Sequence, residues 1–496
     1  MANTILMGMN LATAFSASTA QHKGQPAILW GDRTFRHEEL WAESLKIAAH
    51  LGRMGVKPGD RVALWLKNCP EFIPAFFAIL QAGGVVVPVN NFLKSAEVDY
   101  LLGDAGVNLI ITDSTLLQSA QQLTLPNLQA WNIEDAAQLP PGTPFEQTAR
   151  SESDLAVLIY TSGTTGKAKG AMLSHGNLLA NVESCRIMLE AVDHDRFVVL
   201  LPLFHSFMMT VGMLLPVLIG GSMVLIKSLH PPKNIIAEIL QHGATILPAI
   251  PQFFRTLAHA GLPPNQPLRL CVSGGAPLPG EILREFTARM HVPLIEGYGL
   301  SEASPVVSMN PLAGPWKEGS IGVPVPGVEM SVQDDAGQHL EPKQTGEICV
   351  RGANVMLGYW NQPDESSKAL RSGWLLTGDI GHRDSDGYYY ITDRKKDMLL
   401  VNGINVYPRE IEEILYQFPG VKEAAVVGIP DPRRGEQAVA FISQTEGATV
   451  EEKALLHHLR AKLAEYKVPR RIIILSALPR NATGKILKTA LRQSLK

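Results

Sequence analysis

A segment rich in glycine, hydroxyl and lysine side chains follows an apolar run in the first half of the chain. The apolar run is Ala156–Ile159, and the segment reads Tyr160-Thr161-Ser162-Gly163-Thr164-Thr165-Gly166-Lys167-Ala168-Lys169-Gly170. Glycines let backbone N–H groups turn toward an anion, hydroxyls add donors and lysines add positive charge. The segment therefore predicts a phosphate-binding loop. It is not a P-loop, because only two residues separate Gly163 from Gly166 and no Ser or Thr follows Lys167.

A second segment predicts a metal ligand. It reads Glu296-Gly297-Tyr298-Gly299-Leu300-Ser301-Glu302 and imitates a dinucleotide-binding fingerprint. However, Glu302 occupies the position of the third glycine, where a carboxylate would repel a pyrophosphate. A carboxylate instead suits Mg²⁺, which prefers oxygen ligands and usually bridges to substrate phosphates.

Near the C-terminus, a lysine lies in a predicted tight loop. The loop reads Leu478-Pro479-Arg480-Asn481-Ala482-Thr483-Gly484-Lys485. An ammonium group there can balance the charge of a carboxylate and a phosphate as they approach each other.

The elements that must position these segments form an α/β pattern. Apolar runs typical of strands include Arg61–Leu66, Gly84–Pro88, Leu109–Thr112 and Leu268–Val272, and helical patterns such as Glu38–Gly52 and Pro70–Ala82 lie between several of them. This alternation predicts parallel sheets covered by helices.

A dense charged run, Asp393–Asp397, separates a region of about 390 residues from a shorter unit of about 100. It predicts a linker, with a large domain over 1–395 and a small α+β domain over 396–496.

Composition excludes several classes of protein. The chain has 496 residues and a formal net charge of −3, so nothing in it favours a nucleic-acid partner. Its 4 cysteines are far apart, which argues against a disulfide scaffold or a zinc knuckle and is typical of a reducing compartment. The N-terminal segment lacks the pattern of a secretory signal, so a cytoplasmic location is expected. The uncharged stretch Phe207–Ile226 has the length of a membrane span, but its glycines and Pro216 favour a buried helix followed by a strand.

Taken in their order along the chain, these motifs resemble those of the adenylate-forming superfamily, which includes acyl-CoA synthetases, peptide-synthetase adenylation domains and luciferases. The resemblance covers essentially the whole sequence. It adds shorter segments: Ser273-Gly274-Gly275-Ala276-Pro277, Leu376-Thr377-Gly378-Asp379, Arg394, and Pro202-Leu203-Phe204-His205-Ser206-Phe207.

The resemblance implies a role for each of these residues. Glu302 would hold the Mg²⁺ of MgATP, Tyr298 would stack on adenine, and Ser301 would contact the α-phosphate or the carboxylate. Asp379 and Arg394 would meet the ribose, and Lys485 would be the catalytic lysine. The remaining nucleotide-binding residues would be Thr161 (also catalytic), Ser162, Gly163, Thr164, Thr165, Gly166, Lys167, Lys169, Gly274, Gly275, Ala276, Pro277, Glu296, Gly297 and Gly299.

The same resemblance implies a two-step reaction with ATP and CoA as co-substrates. A carboxylate would attack the α-phosphorus of ATP, and the acyl-adenylate would then react with CoA. The small, mobile domain would rotate about Lys396 between the steps. His205 would line the acyl channel and Gly403 the entry of the pantetheine.

The substrate is less sharply defined. The segment Glu296–Pro311 looks most like that of bacterial medium- and long-chain fatty acid–CoA ligases, and Val306–Met309 has no acidic group to pair an amino acid. A ligase for aryl or cinnamate-type acids stays open, as does an acyl-AMP ligase that loads a carrier protein. Peripheral membrane contact and a homodimer are also left open.

Overall fold

The computed structural model describes residues 8–140, 145–162, 168–229, 231, 233–402, 404–431, 433, 435–481 and 484–495. The strands of the larger, N-terminal part are β1 (Pro26–Trp30), β2 (Arg33–Arg36), β3 (Arg61–Trp65), β4 (Val85–Pro88), β5 (Leu109–Thr112), β6 (Gln129–Asn132), β7 (Leu155–Ser162), β8 (Ala168–Ser174), β9 (Arg196–Val199), β10 (Ser222–Leu225), β11 (Ile246–Ala249), β12 (Leu270–Ser273), β13 (Leu294–Gly299), β14 (Val306–Met309), β15 (Ser320–Pro324), β16 (Val328–Gln333), β17 (Gly346–Gly352), β18 (Leu370–Arg371), β19 (Trp374–Arg383) and β20 (Tyr389–Arg394).

The α-helices of this part are α1 (Leu11–His22), α2 (His37–Arg53), α3 (Phe72–Gln81), α4 (Ser95–Ala105), α5 (Ser114–Gln121), α6 (His175–Met188), α7 (Leu215–Ile219), α8 (Lys233–Gln241), α9 (Pro251–Ala260), α10 (Gly280–Arg289) and α11 (Pro363–Ala369). Ile133–Gln138 and Ser301–Ala303 form 3₁₀ helices, and Met208–Leu214 forms a π-helix.

The first sheet contains six strands in the order β6-β5-β3-β4-β7-β8. Strands β4 and β5 are buried along their whole length, which explains their unbroken apolar sequences, because parallel strands covered on both faces have no solvent side. Helix α3 is buried at every position. The last two strands, β7 and β8, form an antiparallel hairpin, so the predicted phosphate loop joins two strands.

The second sheet is mixed, which corrects the expectation of parallel sheets. From β10 through β9, β11 and β12 to β13 its strands run parallel, whereas β13, β14, β15, β20, β19, β17 and β16 pair antiparallel. Connections such as Leu300–Pro305 are too short for a crossover helix, so the strands they join must turn back on themselves. The predicted α/β class is confirmed.

The uncharged stretch Phe207–Ile226 follows the predicted order of helix, turn and strand. The π-helix continues into α7, which ends at Gly220, and β10 follows from Ser222 to Leu225. In the part of the chain that the structure describes, no helix is long and apolar enough to cross a membrane.

The C-terminal part has its own sheet and its own cores. Its strands are β21 (Leu399–Val401), β22 (Ile404–Val406), β23 (Val421–Asp431), β24 (Gly435–Gln444) and β25 (Ile472–Leu475), and its helices are α12 (Pro408–Tyr416), α13 (Glu452–Arg460), α14 (Lys488–Gln493) and the 3₁₀ helix Glu465–Lys467. Two separate apolar clusters lie on the two faces of this sheet. The predicted boundary at 395 and 396 falls in the turn between β20 and β21.

Candidate active site

The site begins at the β7–β8 hairpin. Across this hairpin Thr161 pairs with Lys169 and Ser162 with Ala168, which brings both strand ends to the edge of the six-stranded sheet. The Lys169 side chain is buried, forms an ion pair with Glu365 of α11, and lies 5.2 Å from the ring centroid of Tyr359. Its charge is therefore already balanced within the protein by Glu365. The predicted loop residues outside the described part are Gly163, Thr164, Thr165, Gly166 and Lys167.

Glu302 lies at the start of a short 3₁₀ helix and faces this hairpin. Its Oε1 accepts hydrogen bonds from the Thr161 hydroxyl at 3.3 Å and from the Tyr359 hydroxyl at 2.9 Å. Its backbone carbonyl accepts a bond from Met356 N at 2.8 Å. These bonds fix the carboxylate beside the end of β7, where the predicted phosphate loop begins.

Tyr298 and Asp379 meet on the opposite side of the site. The Tyr298 hydroxyl donates to Asp379 Oδ2 at 2.5 Å, and Arg394 Nε lies 3.1 Å from Asp379 Oδ1. Asp379 is 3% exposed. Its two bonds therefore compensate for the hydrogen bonds to water that the carboxylate loses on burial. Asp379 and Arg394 are also paired across strands β19 and β20.

Lys485 reaches this cluster from the C-terminal domain. Burial and the neighbouring Arg394 guanidinium lower the pKa of Lys485 to about 8, while Asp379 acts against the shift. A Cβ at Gly484 would come 2.5 Å from Ile250 Cδ1. Gly484, directly before Lys485, is thus packed against the large domain.

The segment around His205 borders the same region. Burial and the charge of Lys485 lower the pKa of His205 to about 4, so the imidazole is neutral near pH 7. The Ser206 and Ser301 hydroxyls lie 3.0 Å apart. The Phe207 ring packs against Gly274, where an added Cβ would meet it at 3.0 Å. Gly275, Ala276 and Pro277 continue the turn after β12 toward Leu278.

Glu296 has surroundings that the sequence did not indicate. It is buried, its Oε1 accepts a bond from Leu278 N at 3.1 Å, and it lies near Arg409 of α12. Burial raises the pKa of Glu296, the Arg409 charge partly offsets this rise, and the resulting pKa is about 7. Because Arg409 belongs to the C-terminal part, Glu296 lies where the two domains meet. Gly297 follows Glu296 on β13, and Gly299 ends that strand.

The linker is held by contacts on both sides of the predicted hinge. Asp393 accepts a bond from Arg394 N at 2.7 Å and one from Arg409 N at 2.8 Å, which joins β20 to the first turn of α12. Lys396 is exposed, in a turn where the N–H groups of Asp397 and Met398 bond to Arg394 O at 2.9 and 3.0 Å. Gly403 lies outside the described residues.

Sequence reasoning missed several residues of this site. They share one property, a partner far away in the sequence, and they are Tyr359, Glu365 and Arg409. Glu302 and Tyr359 are 57 positions apart in the sequence, which shows why no spacing rule could have found such residues.

The site and the fold together match a known family. Residues 15–360 match the AMP-binding enzyme family, and residues 410–485 match the C-terminal domain of AMP-binding enzymes. The chain belongs to this family, the adenylate-forming superfamily that the motifs predicted. Within it, the chain is an AMP-forming acid–thiol ligase.

Individual relatives have different acids in their names. The chain is 35% identical to a long-chain-fatty-acid–CoA ligase of Bacillus subtilis (strain 168), over 98% of this chain and 94% of that protein. It is also 35% identical to a feruloyl-CoA synthase of an Amycolatopsis species, over 94% and 95% of the two chains. A solved structure of O-succinylbenzoate coenzyme A synthetase from Bacillus subtilis, in complex with ATP and magnesium ion, aligns with a TM-score of 0.88 at 29% identity, over 98% of this chain and all of that one (100%).

Proposed function

We propose that this protein joins a medium- or long-chain fatty acid to CoA. In the first step the acid and ATP give acyl-AMP and diphosphate, and in the second acyl-AMP and CoA give acyl-CoA and AMP. The observation that carries the proposal is the meeting of Lys485 and Arg394 with Asp379 and Tyr298. Lys485 and Arg394 are two cations that can balance the charge of an α-phosphate under attack. Asp379, beside them, can accept hydrogen bonds from the ribose hydroxyls of the same nucleotide.

In this proposal each side chain has a defined task. Asp379, whose carboxylate can accept further hydrogen bonds beside that from Tyr298, accepts the ribose hydroxyls, and Arg394 orients Asp379. The Lys485 ammonium, when protonated, balances the negative charges of the carboxylate and the α-phosphate as they approach. Catalysis is then mainly positioning and charge neutralisation. The phosphate chain is assigned to residues Thr161, Ser162, Gly163, Thr164, Thr165, Gly166 and Lys167.

The residues present also fit Mg²⁺. Within the described ranges, no group of three or more His, Cys, Asp or Glu side chains could hold a metal ion by itself. A single carboxylate beside a hydroxyl, as in Glu302 and Thr161, suits an ion that takes its other ligands from water and from nucleotide phosphates. Bound there, Mg²⁺ would neutralise charge on the phosphates.

The choice of a fatty acid is supported by the apolar residues near His205. Phe204, Phe207, Met208 and Met209 are all buried, and the two thioethers can adapt to a flexible chain. The neutral His205 offers no charge to a second carboxylate or an ammonium group. The similarity to the Bacillus subtilis long-chain ligase supports the same choice.

An aryl acid is the second candidate, because the feruloyl-CoA synthase is equally similar to this chain. The Phe207 ring against Gly274 would also suit an aromatic substrate through ring stacking.

We predict that kcat/KM rises steeply from acetate through medium-chain acids and then levels off when the channel is full. Each buried methylene contributes about 0.8 kcal/mol at most, roughly fourfold in specificity. CoA-dependent AMP formation should be measured over C2 to C18 acids, with cinnamate, ferulate and leucine as comparisons. Leucine should fail, since its ammonium group would be buried without a partner.

Reactions without CoA are the control, and they should stop after about one equivalent of diphosphate per enzyme. A profile independent of chain length would remove the fatty-acid proposal. A clear preference for cinnamate or ferulate would replace it with the aryl candidate.

A further inference from the structure

The loop that carries Lys485 is a hydrogen-bonded hairpin. Arg480 and Ile486 form an antiparallel bridge, and Leu487 N bonds to Pro479 O at 2.8 Å. Both backbone groups of Lys485 bond to Asn481: its carbonyl accepts from Asn481 N at 2.9 Å, and its N–H donates to Asn481 Oδ1 at 2.8 Å. The backbone of Lys485 is therefore fixed relative to the first strand of the hairpin.

The Arg480 side chain connects this hairpin to the sheet of the C-terminal domain. One guanidinium nitrogen donates to Gly484 O, and another forms an ion pair with Glu423 Oε1 on β23. Glu423 is buried, and its other oxygen accepts a bond from the Ser443 hydroxyl on β24 at 3.1 Å. The Glu423 carboxylate is thus held by two strands. Because the planar Arg480 guanidinium binds both this carboxylate and the Gly484 carbonyl, it fixes the carbonyl relative to the sheet.

The peptide between Gly484 and Lys485 is held from both sides. On one side Arg480 binds its carbonyl oxygen. On the other, Gly484 has a φ of +82° and packs against Ile250 of the large domain, with no room for a side chain. Rotation of this peptide would turn the Lys485 side chain away from Arg394 and Asp379, the groups that influence its pKa.

We propose that Arg480 is a positioning residue for adenylate formation, which acts by fixing the Gly484–Lys485 peptide through its ion pair with Glu423. The inference rests on the proposed role of Lys485. Arg480 itself touches no substrate, so it affects only the half-reaction in which Lys485 takes part. The step in which CoA attacks a ready-made acyl-AMP does not need it.

The test compares the two half-reactions in Arg480→Met, which keeps the length of the side chain but has no donors. Single-turnover adenylate formation should fall about 10- to 100-fold, because a displaced catalytic group loses that much even when it is still present. The KM for ATP should change less than about threefold, since no ATP contact is removed. Thioester formation from supplied acyl-AMP should keep its normal rate.

Three further variants make the result specific. Arg480→Lys can reach only one of the two acceptors and should lie between the wild type and Arg480→Met; it also carries the test if Arg480→Met does not fold. Arg460→Met removes an exposed arginine of α13 and is the matched control; both half-reactions should be unchanged. The double variant Arg480→Met/Lys485→Ala should adenylate no more slowly than Lys485→Ala, because both changes remove one function.

The outcomes separate this inference from the proposed function. If Lys485→Ala adenylates normally, the proposed role of Lys485 is wrong and the inference falls with it. If Lys485→Ala is inactive while Arg480→Met adenylates like the wild type, only the inference is overturned. Equal losses in both half-reactions of a folded Arg480→Met, or an additive loss in the double variant, would also overturn it.

Discussion

Lys485 and Asp379 show how the chemistry of single residues depends on their surroundings. The ordinary pKa of a lysine is 10.5, yet burial and Arg394 lower the pKa of Lys485 to about 8. Asp379, only 3% exposed, keeps two bonded partners, Tyr298 and Arg394. Neither property depends on residue type alone, and both follow from which groups the fold brings together.

The lowered pKa of Lys485 predicts how adenylate formation depends on pH. Burial disfavours the charged form, so this lysine loses its proton at a lower pH than an exposed one. If the ammonium is the active form, kcat/KM for ATP should fall as pH rises through about 8. Single-turnover rates between pH 6 and pH 10 would show this.

In Lys485→Arg the guanidinium stays protonated, so the alkaline fall should disappear at whatever rate remains. Thioester formation from supplied acyl-AMP should lack the fall in both proteins. A wild-type adenylation rate that is constant or rises from pH 7 to pH 9.5 would contradict the assignment.

Part of the site could be predicted from single residues and part could not. Glu302 and Lys485 lie in short motifs whose residue types indicate their chemistry, whereas Asp379 and Arg394 were predicted from the family resemblance. The structure brings Asp379, Arg394 and Lys485 together. Tyr359 could not be predicted, because its link to Glu302 exists only in the folded chain.

At the scale of elements, the turn after β13 positions Ser301 and Glu302. Leu300 N bonds to Pro305 O at 3.0 Å, and the 3₁₀ helix Ser301–Ala303 lies between them. A Cβ at Gly299 would come 2.0 Å from Pro305 O. The glycine is therefore required by the close approach of the two backbones.

We predict that Gly299→Ala destabilises the protein by about 1–3 kcal/mol, because the backbone must move to admit the methyl group. Gly297→Ala is the matched control, since it lies on the same strand and its Cβ would meet nothing nearer than Met309 Cε at 3.5 Å. Urea unfolding of both variants would decide the matter. Equal stability of the two would show that the turn relaxes freely.

The elements themselves were largely predictable where the sequence is strongly patterned. The runs predicted at Leu109–Thr112 and near Pro70–Ala82 are strand β5 and helix α3. Strand direction was not predictable beyond β13, because pairing depends on connection length and on partners distant in sequence. The antiparallel pairing of β7 with β8 was not predictable either. The sequence indicated only that the phosphate loop follows a strand.

At the scale of the whole molecule, the structure shows one arrangement of two parts. The Lys485 hairpin packs on Ile250, and Asp393 ties the linker to α12. With Lys485 in this place, the thiol of CoA would have to approach through the same region. We therefore propose, as the resemblance implies, that the C-terminal part moves about the turn at Lys396 before the second step.

We predict that Lys396→Pro keeps adenylate formation and loses most of the thioester step. Proline fixes φ at the pivot but removes neither bond of the turn, since these come from Asp397 N and Met398 N. Lys396→Ala is the control and should keep both steps. Single-turnover measurement of each step is required, and normal thioester formation by Lys396→Pro would remove Lys396 as the hinge.

The central claim, that a carboxylate becomes an acyl-adenylate before it meets CoA, can be tested by following oxygen. A fatty acid labelled with ¹⁸O in both carboxylate positions should be incubated with the wild-type protein, ATP, Mg²⁺ and CoA, and the products examined by mass spectrometry. When the carboxylate attacks the α-phosphorus, one of its oxygens becomes the bridge between the acyl group and AMP. When CoA then displaces AMP from the acyl carbon, that oxygen leaves with AMP. The expected products are AMP with one ¹⁸O and unlabelled diphosphate. Unlabelled AMP, or label in orthophosphate together with ADP, would contradict adenylate formation.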